Sequence, residues 1–531
     1  MTIAYGTRQP CDEYAAGRRR ALLPCPERDK PWVLATAILG SSLAFIEGSA
    51  VNLALPALQS DFGTTSTKLQ WVINAYLLAL GSFMLVGGSL GDRYGLRRVF
   101  LVGTAVFGAG ALASALAPSM SLLIVARLVQ GLGGALLVPG SLALVGSHFA
   151  EQERGRAIGT WAGASALTTA AGPVLGGWLV DQWGWPSVFL LVVPLAALTI
   201  VVCWRRVPVS PVRSRERLDY AGALLLAASL GLLIYALVSA FEPLVRATLI
   251  ILSILLGTGF LWREKRFNAP MLPLRLFSSR AFSGANLMTL FLYCALSGAL
   301  YFLPFNLIQV QGYSAVQAGA AFLPFTLILG FGSTLAGGMI GRVDPRTILT
   351  LGPVVAGVGF VALAMPGANA SFVAGFLPGI LLIGVGMTLS VAPLTTVVMS
   401  SVPDDETGVA SGVNNTVARI AGVLAVAVLT AAAVWQFSGA FETRLRDSDV
   451  PPELVERLTS NAAELAELKA PEGTREETTA IVSDAVAVAY VETFRVLVII
   501  CGLLAALSGA IAWFSLGKEP RNRNRYSSRC L

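Results

Sequence analysis

The chain has 531 residues, 55% of them hydrophobic and 13% charged, with a mean hydropathy of +0.70, a balance outside that of soluble domains. A membrane span needs roughly 20 mostly apolar residues, so about fourteen spans with short connections use nearly the whole length and leave no room for a separate soluble enzyme domain. The net charge of +7 excludes nucleic acid as a partner, because its basic residues are spread through short loops and two tails instead of gathering on one soluble face.

The first 30 residues contain an Arg triplet, Arg18 to Arg20, but no apolar core with a cleavage site, so the first apolar run is expected as a retained helix. Runs bounded by charge, Pro and Gly predict spans near 32–58, 70–90, 99–117, 121–147, 157–180 and 186–204. A basic segment from Arg205 to Arg217 follows, then spans near 219–240, 245–262, 284–308, 318–341, 346–365, 372–399, 408–434 and 491–515. The expected division is a tail over 1–30, six helices over 31–204, loops and two inserted helices over 205–283, six helices over 284–515, and a tail over 516–531. With the N-terminus inside, 28 of the 38 Lys and Arg fall in tails and cytoplasmic loops, which places both termini on the cytoplasmic side. Residues 436–490 break the pattern of short connections. They hold 11 acidic and 5 basic residues, and Leu454, Val455, Leu458, Ala462, Leu465 and Leu468 recur at helical spacing, so this external loop is expected to form one or two amphipathic helices on the outer rim. The six cysteines show no paired spacing for a disulfide framework or a metal site and are expected as free thiols.

The chain repeats itself. GLGGALLVPGSLALVGSHFAEQERGRAIG, from Gly131, aligns without gaps with GVGMTLSVAPLTTVVMSSVPDDETGVASG, from Gly384. A weaker match relates GSLGDRYGLRRVFLVG, from Gly88, to GMIGRVDPRTILTLG, from Gly338, with one residue missing. Helices two to five therefore recur as ten to thirteen. Duplicated halves put a substrate site near mid-membrane between the repeats, so the fold expected is all-α and integral to the membrane: two six-helix bundles with helices seven and eight inserted.

The first helix reads FIEGSAVNLALPALQ, and a carboxylate among apolar residues in a span is a functional candidate by its cost alone. That residue is Glu47. The second turn reads GGSLGDRYGLRR, with Gly88, Gly91, Asp92, Arg93, Gly95, Arg97 and Arg98; helix four reads RLVQGLGGALLVPG, with Arg127 and Gln130 on one face. Helix five reads GASALTTAAGPVLGGWL, with Gly163, Gly172, Pro173, Gly176 and Gly177. This ordered set resembles the major facilitator superfamily, and the first-helix pattern, with an acid nine residues before Pro56, resembles its 14-helix drug:proton antiporter branch, with Glu in place of Asp. The resemblance implies that Glu47 and Arg127 form the proton-coupling pair, that the Asp92 loop is a cytoplasmic latch between the bundles, and that helix five carries an antiporter motif. The alternative for Glu47 is a static bridge to Arg127 near the interface. The resemblance extends to helix two, with Trp71, Asn74 and Tyr76, and to helix thirteen, SGVNNTVARIAGVLAVAV, with Asn414, Asn415 and Arg419; together with Asn52 and Gln130 these are the candidate cavity residues. The counterpart of the latch in the second half is degenerate, with Arg342, Asp344 and Arg346. The only His, His148, ends helix four and is given a surface role.

No Gly-rich loop ending in Gly-Lys-Ser/Thr occurs, so ATP is not the direct energy source. No metal-ligand cluster or Ser/His/Asp arrangement suggests an enzyme. The function implied is a transporter of the bacterial plasma membrane that uses the proton gradient, without a bound cofactor, to export drugs, antibiotics or other amphiphiles. The rival readings are an importer or facilitator of a small metabolite and a non-transporting membrane sensor or scaffold.

Overall fold

The computed structural model describes residues 27–517 apart from 65, 210–218, 239–241, 268–269, 341, 369, 447–449, 461–467, 469–470 and 472–474. Within lipid every backbone N–H and C=O must be satisfied inside the chain, which leaves continuous helices as the solution for apolar runs such as these. Fourteen long helices result: α1 (Lys30–Phe62), α2 (Ser66–Tyr94), α3 (Leu96–Ala115), α4 (Met120–His148), α5 (Glu151–Trp183), α6 (Pro186–Arg206), α7 (Tyr220–Val238), α8 (Pro243–Glu264), α9 (Arg280–Phe305), α10 (Leu323–Met339), α11 (Pro345–Ala362), α12 (Leu377–Ser400), α13 (Thr407–Arg446) and α14 (Glu476–Ser515). Thirteen are long and apolar enough to cross a membrane. The fourteenth, α5, opens on EQERGR and is rich in Gly, Ser and Thr, because it packs between α1 and α10 instead of against lipid. Short one-turn π-helical pieces close α9 (Asn306–Val310) and open α12 (Phe372–Phe376).

Helices α1–α6 form one bundle and α9–α14 the other. The inserted pair α7–α8 is joined by reciprocal bonds between Ser229 and Ser253 (2.9 and 2.7 Å) and leans on α2, where Ile234 fills the space above Gly81. Asp92, at the foot of α2, marks what is here called the latch end, and the foot of α13 lies beside it. In the latch half one apolar cluster crosses between the bundles, with Leu85, Leu142, Val145, Ile158 and Trp161 packed among Val398, Met399, Val409 and Val413. In the opposite half each bundle keeps its own core. The bundles are thus closed against each other at the latch end.

Residues 436–490 are not the separate loop expected from their polarity. Helix α13 runs on to Arg446 and α14 begins at Glu476, so each has 40 residues and is about 60 Å long, twice the hydrocarbon core. The cause is an apolar stripe that outlasts the span: Phe437, Phe441 and Leu445, one turn apart and fully buried, pack with Val482, Val486 and Tyr490 of α14, and the two Phe rings stack at 5.4 Å. The short helix Pro452–Ser460 buries Leu458 against this stalk, as does Leu468, while Ala462 and Leu465 lie outside the described residues. Cys203, Cys294 and Cys501 are free and buried; Cys11, Cys25 and Cys530 fall outside the described residues, as do the ends of both tails.

Candidate functional site

Helix α1 carries Glu47 into the interior of the first bundle with no solvent exposure. An unpaired carboxylate there would cost several kcal/mol, and the sequence supplies its partners from α4. Arg127 donates from Nη1 to Glu47 Oε1, and Gln130, three residues on and therefore on the same face, donates from Nε2 to Oε2. The same Arg127 Nη1 reaches Gln130 Oε1 at 2.7 Å, and Nε donates to the Val72 carbonyl of α2 at 2.9 Å. The guanidinium lies 4.4 Å from the centre of the Tyr76 ring, a cation–π contact. Arg127 and Gln130 are also fully buried, and Tyr76 is 2% exposed with no hydrogen-bond partner for its hydroxyl. The arrangement can hold one carboxylate ionised or accept one proton on it, while Arg127 keeps its charge throughout.

Glycines set the approach of these helices. Gly172 and Gly176 of α5 lie against Ser49 and Ala50 of α1, where a Cβ would meet Ser49 Oγ at 1.8 Å and Ala50 Cβ at 2.8 Å, and Gly177 faces Leu53. The helix-five motif, with Pro173 inside the helix, thus packs on the turn of α1 just beyond Glu47. Gly163 does different work: with Gly155 and Gly159 it lets α5 touch α10 of the other bundle, a Cβ at the three positions lying 2.2 to 2.4 Å from backbone oxygens of Gly330, Ser333 and Gly337.

At the latch end Asp92 accepts hydrogen bonds from the amides of Gly408 (2.8 Å) and Val409 (2.7 Å), the first turn of α13, where free N–H groups and the helix dipole favour an anion. Gly88 permits this: a Cβ there would stand 2.1 Å from the Gly408 oxygen. Its repeat-related contact pairs Gly155 with Gly337, one residue before the Gly338 aligned with Gly88. Gly91 packs on Leu96, Gly95 turns the chain with φ 95°, Arg93 donates to the Pro270 carbonyl at 3.0 Å, Arg97 donates to the Trp204 carbonyl, and Arg98 is exposed. Two ion pairs across the latch end went unforeseen, Arg154 with Asp404 (2.9 Å) and Arg275 with Glu406; the repeated EQERG and PDDETG segments carried the signal for them.

Three expected cavity residues are engaged elsewhere. Gln130 belongs to the Glu47 network. Trp71 sits on the face of α2 that meets the inserted pair, 5.5 Å from the Tyr235 ring. Asn414 stands about a third of a turn off the α13 face shared by Gly408, Gly412, Asn415 and Arg419, and so bonds to Thr289 of α9 (2.8 Å). Asn415 bonds back to the Ser411 carbonyl (2.9 Å), Asn52 is exposed and Asn74 half-buried. Arg419 is half-buried within electrostatic reach of Tyr76 and Tyr293. His148 is half-buried at the end of α4, its Nδ1 2.9 Å from the Leu144 carbonyl. Arg342, Asp344 and Arg346 line a cleft at the latch end.

This geometry has relatives. The chain is 33% identical over 414 residues to the "Multidrug resistance protein Stp" of Mycobacterium tuberculosis (strain CDC 1551 / Oshkosh), covering 77% of this chain and 76% of that protein. It is 31% identical to the "Tetracenomycin C resistance and export protein" of Streptomyces glaucescens, covering 93% and 94%. Among solved structures, the human organic anion transporter MFSD10 superposes with a TM-score of 0.60 at 16% identity, over 90% of this chain and all of that one. The proton:xylose symporter XylE gives 0.59 at 14%, over 92% and 96%. The sequence pattern of the Major Facilitator Superfamily runs through residues 37–426, across the Glu47 site, the latch and the inserted pair, and the chain belongs to that family of membrane transporters.

Proposed function

We propose that the transporter exports drugs, antibiotics or similar amphiphiles across the bacterial plasma membrane in exchange for protons, by alternating exposure of a site between its two bundles. The observation that carries this reading is Glu47, a fully buried carboxylate whose two oxygens take their donors from Arg127 and Gln130. Protonation of Glu47 removes one charge-assisted bond from Arg127, so proton occupancy and the packing of α1, α4 and α5 change together. The names of the multidrug and tetracenomycin relatives support export. The bias of basic residues toward the latch end supports cytoplasmic termini, which makes the closed end the cytoplasmic one. A proton moving inward supplies about 2.3 kcal/mol per 100 mV, and a tenfold concentration ratio needs about 1.4 kcal/mol, so one proton sustains a substrate gradient of tens-fold with no bound cofactor.

The test is efflux of fluorescent amphiphiles, cationic and anionic, from energised cells. In Glu47→Gln, which keeps size and hydrogen bonding but cannot ionise, protonophore-sensitive efflux is expected to fall more than tenfold at unchanged membrane abundance. Normal export by Glu47→Gln would assign the proton to another carboxylate, and wild-type uptake would make the protein an importer.

A further inference from the structure

We propose that the cleft at the latch end binds a phosphate-bearing anion, a phospholipid headgroup or a free polyphosphate, and that this ligand clamps the two bundles in the closed state. A cavity of about 970 Å³ opens there between α1 and α5 on one side and the α10–α11 turn, α12 and the end of α14 on the other. Arg156 enters it from the first bundle, Arg342 and Arg346 from the second. Among the described residues none of the three has an ion-pair partner. The guanidinium of Arg346 lies 3.8 Å from the centre of the Trp513 ring, and its Nε is buried without a hydrogen-bond acceptor.

The carboxylates in the same wall are already occupied. Glu153 takes Lys30 at 2.6 Å, and Asp344 accepts the backbone N–H of Arg346 at 3.0 Å. Four cations therefore stand against two anions in one recess. A preference for basic residues at the cytoplasmic end explains their number but not their convergence from two bundles, where like charges repel. An anion relieves the repulsion. Guanidinium forks match phosphate oxygens two at a time, and basic recesses between helices at a membrane surface suit anionic headgroups.

The ligand would favour one state. Beside the cleft Gly155 of α5 touches Gly337 of α10, so parting the bundles there carries Arg156 away from Arg342 and Arg346. An anion held by both sides binds the closed state more tightly and shifts the population toward it.

The experiment uses the full chain, in a cysteine-replaced background, with spin labels at the exposed positions Arg205 and Asp405, in nanodiscs of phosphatidylcholine alone or with about one-third phosphatidylglycerol. Phosphatidylglycerol is expected to raise the short-distance population at least threefold. Replacing Arg156, Arg342 and Arg346 together by Gln should abolish the shift, and Arg342→Gln alone, an exposed position safe for folding, should weaken it. Lys265→Gln with Arg266→Gln, basic positions on the same end outside the cleft, should leave it intact. Pyrophosphate added to neutral nanodiscs distinguishes the sources: the same variant-sensitive shift would assign the cleft to a free phosphate anion. No shift with either probe, or equal loss in the Lys265/Arg266 variant, would overturn the proposal.

Discussion

Glu47 and Arg127 are each intolerable alone at their depth, and their mutual dependence is measurable. Removing one member of a buried, hydrogen-bonded ion pair costs about 3–5 kcal/mol, whereas replacing both by neutral groups costs far less. Arg127→Gln is therefore expected to lower the thermal stability of the purified transporter sharply, and Glu47→Gln with Arg127→Gln to recover most of it, as a double-mutant cycle would show. Arg127→Lys should fail to restore transport, because an ammonium group cannot span Glu47, Gln130 and the Val72 carbonyl as the planar fork does. The pairing itself was legible in the sequence, since a carboxylate and a guanidinium inside two apolar spans require each other. The place of Gln130 was not: its helical phase relative to Arg127 was visible, but nothing in a single chain tells which neighbour that face will meet. Asn414 shows the same limit in reverse, its polarity obvious and its direction set only by the phase of α13 against α2.

At the scale of elements, helices that touch through glycine backbones have contacts that side chains can only break. Gly159→Val puts branched carbon where the Ser333 oxygen already stands and is expected to hold the latch end apart and abolish transport at normal expression. Gly48→Ala, where a Cβ meets nothing, should transport as the wild type does. Asp92→Asn removes the charge that faces the first turn of α13, an interaction of about 0.3–2 kcal/mol. Its transport should slow severalfold, and labels at Arg205 and Asp405 should report a larger open population. The Asp92 motif was readable in sequence, yet its partner was not, because backbone amides at a helix start carry no side-chain signature. The stalk was missed for a related reason: polar composition over 436–490 masked Phe437, Phe441 and Leu445, whose spacing continues the stripe of α13 past the lipid boundary.

For the whole molecule, the two-bundle layout followed from an internal repeat strong enough to align without gaps, and the structure adds the asymmetry that the repeat conceals. One crossing is held by a carboxylate on a helix start, the other by glycine against glycine beside a basic cleft. Only the second bundle bears the stalk. Helix α13 is one continuous helix from the amides gripped by Asp92 to the stacked Phe pair outside the span. A rod of about 60 Å pivoting by ten degrees sweeps its tip through roughly 10 Å, so the stalk acts as a pointer whose swing reports, on the outer surface of an intact cell, whether the inner latch is fastened.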